Sequence, residues 1–315
     1  MSDISLSRRS HSRAASVAVL VTVLWSSSWV LIRWGLDDHG LRPLGFAGLR
    51  YVLAALLLGG WAASRPNLRV QFRTLDRPIV LRLALLGVIM YTLTQGAQFV
   101  ALDHQPAATT SLVLSVSPLV VALAAGRVLG ERPRPPQVIG AGLIILGASF
   151  YFSGDLGFTA PGMVAAVVGL LANSAAALLG REVNRGGHLP AAIITVVSMC
   201  VGAVLLLAAG LAVEGVPVLD PAGWAIVIWL ASVNTALAFT LWNWSLRRLS
   251  ATASAGINNT MLIQIGLLAW AFLDEAPGSI QWVGMIVVST GVLLAQFQAA
   301  GRLQRAGGEP RGRGT

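Results

Sequence analysis

No lysine occurs in these 315 residues: all 22 basic positions are arginine. Charge of either sign is scarce at 11%, where a soluble domain carries roughly a quarter. One cysteine, Cys200, excludes an internal disulfide. It stands between Met199 and Val201 and is expected to pack. No C-x-x-C or His/Cys cluster is present to hold a metal, so neither metal nor cofactor is expected. The chain has no H-E-x-x-H, no acid pair inside an apolar run and no Ser/His/Asp arrangement. That weighs against a membrane-embedded enzyme. No G-x-x-x-x-G-K-S/T loop is there to drive a pump with ATP. The charge rings or filter loops of a channel are missing too, although a channel, a scaffold or an enzyme without a recognisable motif stays the alternative class.

What is present is apolar. Hydrophobic residues make up 55% and mean hydropathy is +0.73. The runs exceed the ~18 residues that mark a membrane-spanning helix. Ten candidate spans follow: 15–34, 44–64, 81–102, 107–129, 137–154, 160–180, 190–213, 222–245, 251–273 and 279–298. Arg8, Arg9 and Arg13 before an apolar stretch imitate a secretory signal. That stretch runs to about Trp34 without an A-x-A site, so it reads as an uncleaved first span.

Cytoplasmic loops collect arginine. With the N-terminus inside, 19 arginines fall on the cytoplasmic side and two, Arg33 and Arg42, outside; Arg50 lies within a span. The net charge of +9 then faces anionic headgroups, and no nucleic-acid partner is needed.

Two segments match at an offset of 144: Glu131 with Glu275, Gln137 with Gln281, Gly140 with Gly284, and Gly147 with Gly291. Upstream, Leu102 meets Leu246 and Ala107 meets Ala251. The order of matches divides the chain into 1–154, a first five-helix repeat with a short tail, 155–298, a second repeat, and 299–315, a basic disordered cytoplasmic tail. Five is odd, so the second repeat enters from the opposite side. The Glu131 loop, inside, holds arginines, and the Glu275 loop, outside, holds none. The expected fold is an all-α polytopic membrane protein of ten transmembrane helices in two inverted five-helix repeats, with both termini cytoplasmic. Such repeats are a transporter architecture.

The residues that carry these matches resemble the EamA family of the drug/metabolite transporter superfamily. Leu24-Trp25-Ser26-Ser27-Ser28-Trp29 resembles the family's opening Trp-Gly-Ser-Asn-Phe. The stretch from Phe46 through Arg50 and Tyr51 to Ala54 resembles its Phe-x-x-x-Arg-Phe-x-x-Ala element. Ser115-Val116-Ser117-Pro118-Leu119 is similar to its Leu-x-Pro kink, and Leu129-Gly130-Glu131 with Gln137 and Gly140 to its turn. The likeness covers 15 to 298. It implies a ten-helix inner-membrane carrier, often an exporter, of amino acids or other small metabolites. Ser26 and Ser28 depart from the family's glycine and asparagine, and Asn259-Thr260-Met261 stands where a second proline kink is common.

Polar side chains inside a span face the protein interior or a wet cavity. Tyr91, Gln95 and Gln98 share one helix face, as do Ser111, Ser115 and Pro118. Thr235, Phe239 and Trp242 form a stripe beside Asn234; Ser254, Asn258 and Met261 form another beside Asn259. Trp25, Ser28 and Trp29 in the first span and Asn173 in the sixth complete the set. The expected substrate pocket is therefore lined by spans 1, 3, 4, 6, 8 and 9, through Trp25, Ser28, Tyr91, Gln95, Gln98, Ser111, Ser115, Asn173, Asn234, Trp242, Asn258 and Asn259. Each could instead serve helix packing. Arg50, the one ionisable residue well inside a span, either snorkels outward or acts as a gate or counter-charge, with Asp37 or Asp38 as partner. A solvated His104 is the best titratable group in sight, so protons as the coupling ion stay open.

Overall fold

The computed structural model describes residues 2–117, 119–121, 124, 135–151, 153, 157–185, 189–246, 249, 257–258 and 260–306. The described residues are helical with no strand among them. Helix α1 runs Ser2–Asp37, α2 Pro43–Ala63, and α3, Pro66–Arg73, is a short helix the hydropathy pattern does not mark. Its face carries Arg69 and Arg73 and none of its residues is buried. Helices α4 (Arg77–Gly87) and α5 (Gly96–His104) are one rod, joined by a π-helical stretch, Val88–Gln95. Then follow α6 (Ala107–Ser115), α7 (Pro135–Tyr151), α8 (Ala160–Arg185) and α9 (Ala191–Glu214). Helices α10 (Pro221–Ala231) and α11 (Ala238–Leu246) flank a second π-helical stretch, Ser232–Leu237. The last two are α12 (Met261–Leu273) and α13 (Ser279–Ala306). Six helices are long and apolar enough to cross a membrane, and shorter apolar helices lie at 107–121, 138–151, 261–273 and 279–294. Helix α13 continues through 299–306, where the sequence reads as a disordered tail.

Proline at the first helical turn starts α2, α3, α4 and α10, where its missing N–H is no loss and its φ is already helical. Asp220 adds a side-chain cap, accepting from the Gly223 amide at 2.6 Å. Asp274 ends α12 in the left-handed region at φ 56°, where aspartate is among the few tolerant residues.

Glycine permits the closest packing, because small residues let membrane helices approach backbone to backbone. Helices α7 and α13 pack along their length. A Cβ on Gly147 would stand 2.7 Å from the Gly284 carbonyl, and one on Gly291 2.7 Å from the Gly140 carbonyl. Ile144 and Val288, aligned by the 144-residue offset, are buried at this crossing. Helices α2 and α9 form a second such pair, with Gly45 against Gly210 and Gly48 against Leu207. The same offset carries Val88, the first residue of one π-helical stretch, onto Ser232, the first of the other. In each, a threonine hydroxyl reaches a carbonyl five residues back: Thr94 to Ile89 at 2.9 Å and Thr235 to Leu230 at 2.8 Å. The wider turn frees carbonyls from the helical ladder, and such stretches concentrate at functional sites.

Two ends are distinguished below by their connections. One carries Arg33, the turns before α2, α6 and α10, and the loop after α12; the other carries Ser64 and α3.

Candidate functional site

A cavity of about 210 Å³ opens between α1, α6, α8, α12 and α13. Its polar wall is Ser111, Ser115 and Ser117 with Asn173 and Asn258. Its apolar wall includes Trp29, Leu114, Met261 and Ile265. None of the described lining residues is ionisable. At 1.5 Å per residue, Ser111 lies about 6 Å, and Trp29 and Ile265 about 12 Å, from the Arg33 end, whereas Asn173 and Val292 lie about 20 Å down.

Ser111 and Ser115 each spend their hydroxyl hydrogen on a carbonyl one turn back, Ala108 at 2.8 Å and Leu112 at 2.7 Å. Their lone pairs remain for a donor in the cavity. Asn173 donates to Ser117 Oγ at 2.9 Å, which fixes its carboxamide. Serine acceptors, two carboxamides and the face of Trp29 together suit a small polar solute with N–H or ammonium donors. Pockets for drug-sized ligands hold about 300–1,000 Å³, so this cavity fits something smaller.

Of the sequence-predicted pocket, the structure brings together Ser111, Ser115, Asn173 and Asn258. Asn259 and Pro118 lie outside the described residues. Spans 3 and 8 do not line the cavity, and span 10 takes part through Val292. Tyr91 and Gln95 turn to α2 instead: the Tyr51 hydroxyl donates to Gln95 Oε1 at 2.6 Å, and the Tyr51 and Tyr91 rings lie 5.5 Å apart. Gln98 is half-buried away from the cavity. Asn234, buried, donates to the Leu24 carbonyl and, at 3.2 Å, to Ser27 Oγ, so it ties the second π-helical stretch to α1. The Trp25 ring packs at a tilt against Phe239 and Trp242, with centres 5.3 and 5.2 Å apart, and Ser28 bonds its own helix at the Trp25 carbonyl. These are helix contacts, because a span presents its polar face to whichever neighbour packs on it.

Arg50 does not snorkel. It is 5% exposed. Its Nε donates to Thr235 Oγ1 at 3.1 Å, and its guanidinium lies 5.1 Å from the Tyr51 ring centre and 6.0 Å from that of Phe99. Neither Asp37 nor Asp38 is its partner: Asp37 pairs with Arg33 at 3.0 Å. Cys200 is exposed on the surface of α9 and is not packed in the core.

Gln264 joins α12 to α1 through contacts that helical periodicity does not mark. Its Oε1 accepts from Ser26 at 3.0 Å and its Nε2 donates to Thr22 at 3.2 Å and Thr260 at 2.9 Å. A lone amide within the apolar run of α12 was the available signal. A second unforeseen group closes the Arg33 end. Glu275 accepts from the Ala107 amide at 2.8 Å, at the start of α6, and stands 3.8 Å from Arg33 Nε. Burial pushes its carboxyl above the ordinary glutamate range, opposed by the Ala107 amide, Arg33 and the Ala108 amide. Glu214 likewise receives the Leu44 and Gly45 amides at 2.9 and 2.7 Å, at the start of α2. Acids at helix N-termini satisfy the free amides and the helix dipole.

The EamA-like transporter family model matches residues 12–153 and again 160–297. The chain is 27% identical over 304 residues to a probable terminal-alkyne amino-acid exporter of Streptantibioticus cattleyicolor, covering 94% of this chain and 97% of that protein. It is 24% identical over 297 residues to a probable amino-acid metabolite efflux pump of Escherichia coli K12, covering 89% and 94%. YedA of the same organism, an uncharacterized inner membrane transporter, is 25% identical over 283 residues, covering 86% and 87%. A crystal structure of another protein superposes with a TM-score of 0.62 at 19% identity, over 91% of this chain and 98% of that one, a likeness of fold. An all-helical chain with many apolar helices, a polar cavity among them and the family model matched over each half is thus a membrane transporter, and it belongs to the EamA-like transporter family.

Proposed function

We propose that the chain is a secondary carrier, driven without ATP, that exports an amino acid or related small polar metabolite across the inner membrane by alternating access. The observation that carries this reading is the uncharged cavity edged by Ser111, Ser115, Asn173 and Asn258 and walled by Trp29. Its donors and acceptors match a zwitterion, and its apolar wall matches a side chain. The names of the exporter and efflux-pump relatives support amino-acid cargo and outward direction.

Ten spans in two inverted halves fit the same picture. A two-fold axis in the membrane plane exchanges the halves, so a contact between one residue and the counterpart of another must recur with the roles swapped. The Gly147–Gly284 and Gly140–Gly291 contacts obey that rule, and the two π-helical stretches begin at positions 144 residues apart. The arginine bias assigns the Ser64 end to the cytoplasm and the Arg33 end to the outside. The Glu275 contacts with Ala107 and Arg33 then lie on the outer side of the cavity, which fits an inward-facing state.

The test is counterflow in proteoliposomes preloaded with single amino acids. A carrier exchanges radiolabelled cargo saturably, and Asn258→Leu together with Asn173→Leu abolishes the exchange. Unsaturable flux, or no flux with any cargo, overturns the proposal in favour of a channel or a scaffold.

A further inference from the structure

Glu275 is set where the two halves meet. It leaves the loop after α12, in the second half, and takes the first amides of α6, in the first half. Above the cavity, on its outer side, this contact and the Arg33 pair are what a solute would have to part. The Glu275 side chain is 15% exposed, so water reaches it while most of its hydration is lost.

The charges around it do not balance. Arg33, on α1, is the one cation within 4 Å of Glu275 among the described residues, and it lies closer to Asp37, at 3.0 Å against 3.8 Å. Arg33 also donates to the Leu102 carbonyl. Asp38 and then Asp103, from the end of α5, add to the negative field felt at Asp37, and Asp103 holds His104 at 3.4 Å. Tyr151, on α7, feels Glu275 as well. Asp274 precedes it in the chain, and α6 brings amides but no charge. One arginine thus serves two carboxylates, and closing the outer end gathers a surplus of negative charge in a site short of water. Such a site lowers its free energy by binding a proton.

We propose that Glu275 is a proton-binding site that locks the outer end: closing that end takes up a proton, and opening it releases one. This deepens the alternating-access reading and rests on it. The direction of the Glu275 shift agrees in sign, since the state with the higher proton affinity is the state that acid favours. An acidic exterior would then push an empty carrier back to the inward-facing state, ready for the next cargo from the cytoplasm. Protonation leaves one carboxyl oxygen to accept the Ala107 amide, so the helix cap survives the change.

The test reads closure without any cargo. Cysteine replaces Ala108, which is 3% exposed beneath the latch, in a Cys200→Ser background, and intact cells are treated with a membrane-impermeant thiol reagent. Wild-type Glu275 predicts labelling, normalised at each pH to a Val218→Cys protein whose site is 92% exposed at the same end, that falls as external pH is lowered from 7.5 to 5.5; one proton sets the limit at about tenfold per unit. Glu275→Gln, a neutral carboxamide with the same acceptor, predicts an outer end closed at every pH. Asp37→Asn, which frees Arg33 for Glu275, predicts the same fall displaced to lower pH, and it serves as the reference if the glutamine variant does not fold. Flat wild-type labelling across that range, or an unmoved profile in Asp37→Asn, overturns the proton site. Because labelling needs no cargo, that failure is distinct from a failure of counterflow.

Discussion

Gly147 and Gly284 meet backbone to backbone: a Cβ on Gly284 would stand 2.6 Å from the Gly147 carbonyl. Gly140 and Gly291 repeat the contact about two turns away along the same helix pair. No side chain fits without prising α7 from α13, the most extensively packed helix pair among the described residues. Gly147→Leu and Gly291→Leu are each expected to lower stability by about 1–3 kcal/mol. Thermal unfolding in detergent measures this. Gly142→Leu, at a position with open space around it, is the control and should change little.

In the cavity, Asn258→Ala and Ser115→Ala should each weaken apparent cargo affinity. A neutral hydrogen bond contributes about 0.5–1.5 kcal/mol, which converts to roughly two- to tenfold in half-saturation for counterflow. Asn234→Ala, which joins α11 and its π-helical neighbour to α1 outside the cavity, should lower thermal stability with a smaller effect on half-saturation. Equal effects at Asn234 and Asn258 would move the site toward span 8.

Thr235→Val removes the acceptor from Arg50 Nε at a buried position. Leaving a charged donor unmet costs about 1.5–3 kcal/mol, and unfolding of the purified protein should show it. Arg50→Lys should not rescue, because an ammonium cannot reproduce the planar contact with the Tyr51 and Phe99 rings.

Two carboxylates give stability opposite dependences on pH. Burial holds Glu275 above the ordinary glutamate range, so its contribution is full below that range and is lost as pH rises through the raised value. The Gly223 amide, then His39, hold Asp220 below the ordinary aspartate range, so its contribution is present above that range and is lost as pH falls through the depressed value. Melting temperatures against pH should therefore separate Glu275→Gln from wild type in one direction and Asp220→Asn in the other.

Much of this fold is written in hydropathy and arginine placement, which report the solvent around each segment directly. The matched glycines were legible because Gly140, Gly147 and their counterparts recur in order, and the structure gives those glycines a shared task. The cavity was half legible: Ser111, Ser115, Asn173 and Asn258 were visible as polar residues in apolar runs. Tyr91, Asn234 and Trp25 carry the same signal yet face other helices, because periodicity names a face and not the neighbour that meets it. Glu275 sits in a loop by sequence; only the approach of α6 turns it into a part-buried cap. The π-helical stretches left no mark in composition, since their wider turn is held by ordinary threonines.

The account depends most on two halves of opposite orientation around one cavity. Single cysteines at Gly278 and at Arg134, in the Cys200→Ser background, can be tested with an impermeant thiol reagent on intact cells and on inside-out vesicles. The account predicts that position 278 reacts from outside the cell and position 134 from the cytoplasmic side. Reaction of both from the same side would contradict it.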